Sequence, residues 1–286
     1  MLINIRLERD LKHYLALLLI LLLSSGCSSS KLDPKVRQQQ ADSFAVYGGL
    51  VQEKIQTNQF LLTTYQRFDN TDKSKELTVY IEGDGMAWIS RDQLSNNPTP
   101  IHPVALELAS LDKRANILYI ARPCQYLWPQ VTIRNCSSEY WNNKRGSEEV
   151  IDSINQVISI IKARIGVSSI NLIGYSGGGG IATLITARRD DVEKLITVSG
   201  NLNYRLFTKI HNLTPMNGSV NPITVAKRIK SIPQLHYVGS DDKIVPEQIA
   251  RSFSDDVVVM DGVTHTNWAE KWEIILMNTY ERPLHK

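Results

Sequence analysis

Apolar positions along this chain follow two spacings. Short runs rich in β-formers lie at 77–81, 116–120, 167–173, 194–198, 234–238 and 257–260, and each reads as a buried strand. Between them, apolar residues three and four apart predict helices. The clearest covers 148–165, where Val150, Ile154, Val157, Ile158, Ile161 and Ile165 make one stripe. Ser147, Glu148 and Glu149 suit its start, and Gly166 suits its end. Further helices are predicted over 104–111, 179–187, 222–230, 247–253 and 267–278. Residues 43–68 predict a helix and then one strand, and 86–103 and 200–220 read as irregular. Strands alternating with helices argue for an α/β fold with a mostly parallel central sheet covered by helices on both faces.

The N-terminal pattern stands apart. Arg6, Arg9 and Lys12 precede an apolar run at 15–23, and small residues follow. The run is short for a membrane span, and its flanks are those of a secretory signal peptide. Leu23-Ser24-Ser25-Gly26-Cys27 resembles the lipobox of bacterial lipoproteins, with Ser24 where leucine is usual and Leu23 one place earlier. That resemblance implies removal of 1–26, acylation of Cys27 and, with Ser28 next, anchoring on the periplasmic side of the outer membrane. A plain signal peptide followed by a free cysteine is the alternative. Polar residues 27–42 then read as a flexible tether, leaving 43–286 as the folded domain.

The chain has 286 residues, 42% hydrophobic and 21% charged, enough for one large core. A net charge of +3 without a Lys/Arg run argues against a nucleic-acid partner. Six scattered histidines, with no H-E-x-x-H or C-x-x-C, argue against a metal site, and nothing calls for a cofactor.

The chemistry centres on Gly174-Tyr175-Ser176-Gly177-Gly178, a G-x-S-x-G between a strand and a helix. A turn that sharp lifts the serine hydroxyl above the sheet, and the helix start places free N–H groups beside it. Gly177 to Ala182 also fits the dinucleotide pattern G-x-G-x-x-A, but that pattern needs an acid after the next strand, where Ser199-Gly200-Asn201 stands instead. A glycine-rich turn without chemistry is the plainer alternative. Downstream come Gly239-Ser240-Asp241-Asp242-Lys243-Ile244-Val245-Pro246 and then Val263-Thr264-His265 before a tryptophan-bearing helix.

Serine, acid and histidine in this order resemble the α/β-hydrolases over roughly 75–280, and Gly239-x-x-Asp242-x-x-Val245-Pro246 is similar to that family's acid loop. The resemblance implies Ser176 as nucleophile, His265 as base and Asp242 as its orienting acid, with Asp241, Asp261 and Glu270 as further candidates for the acid. It also implies an oxyanion hole from the N–H groups of Gly177 and Asp84, the latter in the loop Glu82-Gly83-Asp84-Gly85. Glu82 stands where a histidine is usual. The implied activity is hydrolysis of a carboxylic ester on a small-molecule or lipid acyl substrate. A non-catalytic envelope lipoprotein and an acyltransferase stay open, as does the oligomeric state. His236 reads as a core residue, and His211 as the best substitute base, ahead of His102. If Cys27 is acylated, Cys124 and Cys136 are the two thiols left; in an exported protein they suggest a disulfide, with two buried thiols as the alternative.

Overall fold

The computed structural model describes residues 32–69, 71, 75–127 and 135–280. The expected leader and Cys27 lie outside the described residues. Among the described residues, eight strands form one sheet in the order β1-β2-β4-β3-β5-β6-β7-β8. They are β1 (Val51–Gln56), β2 (Leu61–Arg67), β3 (Glu76–Ile81), β4 (Ile117–Ile120), β5 (Ser169–Tyr175), β6 (Val192–Val198), β7 (Gln234–Gly239) and β8 (Val257–Met260). β2 runs antiparallel to β1 and β4, while all pairs from β4 to β8 are parallel. After β3 the chain steps to one side for β4 and then back across β3 for β5. The loops leaving β3 and β5 therefore flank the point where winding reverses, and a parallel sheet opens a crevice there.

The strands alternate as their burial demands. Leu77, Val79 and Ile81 of β3 face one core with Leu172 of β5. Tyr80 and Ile173 face the other. The first core is closed by α3 (Glu148–Ile165) and α4 (Gly177–Thr186), through Ile154, Ile158 and Ile181 among others. The second is closed by α1 (Pro34–Gly48), α2 (Val104–Leu111) and α7 (Ala269–Tyr280), through Ala41, Leu108 and Trp272. Two short helices, α5 (Tyr204–His211) and α6 (Glu247–Arg251), complete the set among the described residues. None of the helices among the described residues is long and apolar enough to cross a membrane.

Helix α1 corrects the expected tether. Residues 34–42 are ordered helix, not linker. Asp33 caps it through Lys35 N–H at 2.8 Å, Pro34 starts it, and Gly49 ends it with φ +65°. Its polar composition conceals a stripe of small residues: Ala41 and Ala45 are buried, and Gly48 packs so closely on Ser110 that a Cβ would lie 2.6 Å from the Ser110 Cα. Arg37 is buried too, donating to the carbonyls of Asn97 (3.2 Å), Leu32 (2.9 Å) and Thr99. The single strand expected after it is the β1–β2 hairpin. Within 200–220 a helix, α5, appears, capped by Asn203, whose side chain accepts from Leu206 N–H at 3.2 Å. The helix expected over 222–230 shrinks to a 3₁₀ turn, Pro222–Val225. Ser147 does precede α3, but its hydroxyl makes no capping bond.

Cys124 and Cys136 are joined in a disulfide, with Cα atoms 5.6 Å apart. The bridge closes a short loop and ties the segment after β4 to Trp141 and Ala87.

Candidate active site

β5 ends at Tyr175, and Ser176 takes φ 51° and ψ −121°. Non-glycine residues rarely adopt such a conformation, and it persists only where neighbours impose it. Here they do. Ser176 N–H donates to Val198 O, and its own carbonyl accepts from Asn201 N–H, both at 2.9 Å. Helix α4 begins at once beneath the serine. That close fit requires glycine at 178, where a Cβ would lie 2.3 Å from the Ile81 carbonyl oxygen.

The loop after β8 delivers His265. Its carbonyl is held by Tyr175 Oη–H (3.1 Å) and Trp268 Nε1–H (3.0 Å). Its Nε2 stands 3.1 Å from Ser176 Oγ, and its Nδ1 stands 2.8 Å from Asp242 Oδ2. The other Asp242 oxygen accepts the N–H groups of Ile244 and Val245, each at 2.9 Å. Burial alone would push the Asp242 carboxyl up. Hydrogen bonds and charge from His265, with further bonds from Ser199 and Val245, hold it below the usual range. It is therefore an anion at neutral pH, fit to accept Nδ1–H and fix the imidazole tautomer. The Asp242 side chain is 0% exposed. Asp241, Asp261 and Glu270 are exposed.

On the other side of the serine lies the loop leaving β3. Glu82 is 1% exposed. Its Oε1 accepts Gly83 N–H (2.9 Å) and Ala105 N–H (3.4 Å), and its Oε2 accepts Tyr119 Oη–H (3.0 Å). Gly83 N–H is thereby occupied. The N–H groups of Asp84 and Gly177 have no backbone acceptor among the described residues and suit an oxyanion. The Asp84 carboxylate binds Arg122 at 3.1 Å and Arg145 at 2.8 Å. Burial would raise its pKa, and the two guanidiniums keep it below the usual range. Asp84 also abuts the start of α4, since a Cβ on Gly177 would lie 2.1 Å from its Oδ1. Ser176, His265 and Asp84 open on a cavity of about 470 Å³, whose lining includes the apolar Trp88, Ile101, Phe207 and Ile244.

Burial pushes the Glu82 carboxyl from 4.5 up to about 7, despite the donors around it. Across that window the folded protein holds a proton that the unfolded chain has released, so stability falls as pH rises from 4.5 to about 7. Glu82→Gln is expected to remove this decline, as read by urea midpoints between those two pH values. An unchanged slope would mean that Glu82 is ionised throughout.

None of the other histidines among the described residues bonds Ser176, although His102 lines the same cavity. His236 is buried between Thr197 (2.9 Å) and Gln234 (3.1 Å), with its pKa lowered to about 4 by burial. His211 bonds the Ile244 carbonyl at 2.8 Å, and His102 pairs with Glu107 at 2.8 Å. No group of three or more His, Cys, Asp or Glu side chains fit to hold a metal occurs among the described residues. The sequence reading missed Arg122, Arg145, Ser199 and Asn201. Arg122 and Ser199 each follow a strand end, and that position was the signal available for them.

A family model described as Serine hydrolase (FSH1) matches residues 96–267, more than half of the chain and inclusive of Ser176, Asp242 and His265. No curated protein matches by sequence. Solved structures similar to this one include an alpha-beta serine hydrolase homologue from Coxiella burnetii, 20% identical with TM-score 0.53, covering 80% of this chain and 96% of that one. Est1E from Butyrivibrio proteoclasticus is 15% identical with TM-score 0.56, covering 81% of this chain and 99% of that one. An esterase from Pyrococcus furiosus is 13% identical with TM-score 0.54, covering 82% and 92%. These likenesses agree with the α/β-hydrolase fold.

Proposed function

Because this chain belongs to the serine hydrolase (FSH1) family, we propose that it cleaves a carboxylic ester through an acyl-enzyme on Ser176. The observation that carries this reading is the unbroken hydrogen-bond line from Ser176 through His265 to buried Asp242, at the wall of an open cavity. In this mechanism His265 Nε2 takes the hydroxyl proton as Oγ attacks the carbonyl carbon. Asp242 stabilises the imidazolium. The N–H groups of Gly177 and Asp84 receive the oxyanion, each contributing about 3 kcal/mol to the transition state. His265 then returns the proton to the departing alcohol, and water, activated by the same imidazole, releases the acid. The apolar groups around the cavity suit a substrate with a hydrocarbon portion.

The test is turnover of 4-nitrophenyl esters by the purified protein and by Ser176→Ala. Steady hydrolysis that disappears in the variant is expected. Binding without turnover would make the pocket a non-catalytic one. Transfer of the acyl group to added alcohol in preference to water would make the enzyme an acyltransferase.

The location follows from the N-terminal sequence. The apolar run at 15–23 and Leu23-Ser24-Ser25-Gly26-Cys27 support export and acylation of Cys27, in the cell envelope. More than one acyl chain would make the attachment stable. Cys27→Ser is expected to leave the membrane fraction and to lose its lipid mass; retention of both would refute the anchor.

A further inference from the structure

The cavity beside Ser176 carries an imbalance of charge. Arg145 is the single Lys or Arg in its lining. Asp84 is shared between Arg145 and Arg122, so the cluster holds two cations and one anion. Arg145 uses Nη1 on Asp84 at 2.8 Å and Nε on the Asn142 carbonyl at 2.8 Å, and its Nη2 has no acceptor among the described residues. Glu82 is the other carboxyl in the lining, and its oxygens are taken by Gly83, Ala105 and Tyr119. A largely buried guanidinium with an open donor favours a counter-charge.

A second, independent feature points to the same place. Asn201 lines the cavity, is 3% exposed, and its Oδ1 has no partner. Its backbone N–H donates to the Ser176 carbonyl at 2.9 Å, which fixes it next to the nucleophile. Tyr204 packs against Gly146, the residue after the arginine. The Tyr204 hydroxyl, also unpartnered, lies 2.9 Å from where a Cβ on Gly146 would stand and 2.7 Å from one on Gly180; the Asn201 carbonyl lies 2.8 Å from the latter point. Arg145 Nη2, the Tyr204 hydroxyl and Asn201 Oδ1 are thus three groups left without partners among the described residues. Buried polar atoms in a folded protein are normally bonded, so an open set of them beside a nucleophile marks a place for a polar ligand group.

We propose that this corner of the cavity is a subsite for a carboxylate on the substrate, with Arg145 as its cation and, because Oδ1 only accepts, the Nδ2–H₂ end of the Asn201 amide as its second contact. The preferred ester is then the monoester of a dicarboxylic acid: the distal carboxylate sits at Arg145 while the ester carbonyl faces Ser176 and the hydrocarbon between them meets the apolar wall. A guanidinium recognises a carboxylate better than it does any neutral group. This deepens the ester-hydrolase reading and rests on it.

The experiment compares kcat/KM for mono-4-nitrophenyl succinate, glutarate and adipate with that for neutral 4-nitrophenyl esters of matched chain length. The full chain is expected to prefer at least one anionic ester by about tenfold or more, the scale of one charge-assisted hydrogen bond. Arg145→Gln is expected to lower that preference about 10- to 100-fold, and Arg145→Lys to retain part of it. Taking the ratio of the two substrates cancels any general loss of rate through Asp84. Asn201→Ala is expected to reduce the ratio less, and it keeps the proposal testable if Arg145→Gln does not fold. Equal or better turnover of the neutral esters at all three lengths, or a ratio unmoved by either substitution, overturns the subsite. Those results leave ester hydrolysis standing; that reading fails instead if neither series turns over in a Ser176-dependent way.

Discussion

Asp242→Asn is expected to lower kcat about 10⁴-fold, the scale of a wrongly held imidazole tautomer, while Asp241→Asn changes it little. The two residues are neighbours, yet the loop turns them to opposite fates. Asp242 N–H bonds the Gly239 carbonyl at 3.2 Å, which tucks its side chain under His265. There one carboxylate oxygen meets Nδ1 at 2.8 Å and the other is fixed by two backbone N–H groups. An amide in this position can present NH₂ toward Nδ1, and the ring then carries its proton on Nε2, where it no longer accepts from Ser176. Volume is conserved, so folding should survive. Steady-state kinetics of both variants, with circular dichroism as the check on folding, measures the difference. A larger loss in the Asp241 variant would place the orienting acid elsewhere.

Gly177→Ala is the second substitution with a large expected effect, a fall in kcat of about 10²- to 10³-fold, the loss typical for one oxyanion donor. The added methyl would enter the Asp84 carboxylate, at 2.1 Å. Asp84 cannot yield freely, because Arg122 and Arg145 hold both its oxygens. Either its backbone N–H is displaced from the oxyanion or the ion cluster breaks. Gly166→Ala supplies the contrast. Gly166 has φ +72° and nothing within 4 Å, so alanine there strains the end of α3 and should reduce stability by about 1 kcal/mol without touching turnover. Denaturant midpoints and kcat for the pair separate a catalytic effect from a structural one. Full activity in Gly177→Ala would remove Asp84 from the oxyanion hole.

Much of this architecture can be seen in the chain itself, and for a physical reason. A parallel sheet buried on both faces leaves its strands as plain apolar runs, so 77–81, 167–173 and 194–198 stand out. The site residues lie in loops just after such runs, and their types carry the chemistry, as with Ser176 between glycines and Asp242 before Val245-Pro246. What stayed hidden depends on contacts far apart in sequence. β1 shows no alternation because this edge strand buries only Ile55. Helix α1 buries alanines and an arginine, and neither marks an apolar stripe. Arg122 and Arg145 are ordinary loop arginines until folding brings Asp84 between them. Glu82 was visible as a departure from histidine, but its role in occupying Gly83 N–H required the geometry.

The central claim is that Ser176, activated by His265, is the nucleophile. The most direct measurement is intact mass after exposure to a fluorophosphonate, followed by peptide mapping. One adduct per chain, located on Ser176, is expected in the native protein; Ser176→Ala should take none, and Asp242→Asn should react far more slowly. An adduct of equal rate in Ser176→Ala, or an unreactive native protein that still hydrolyses esters, would contradict the account.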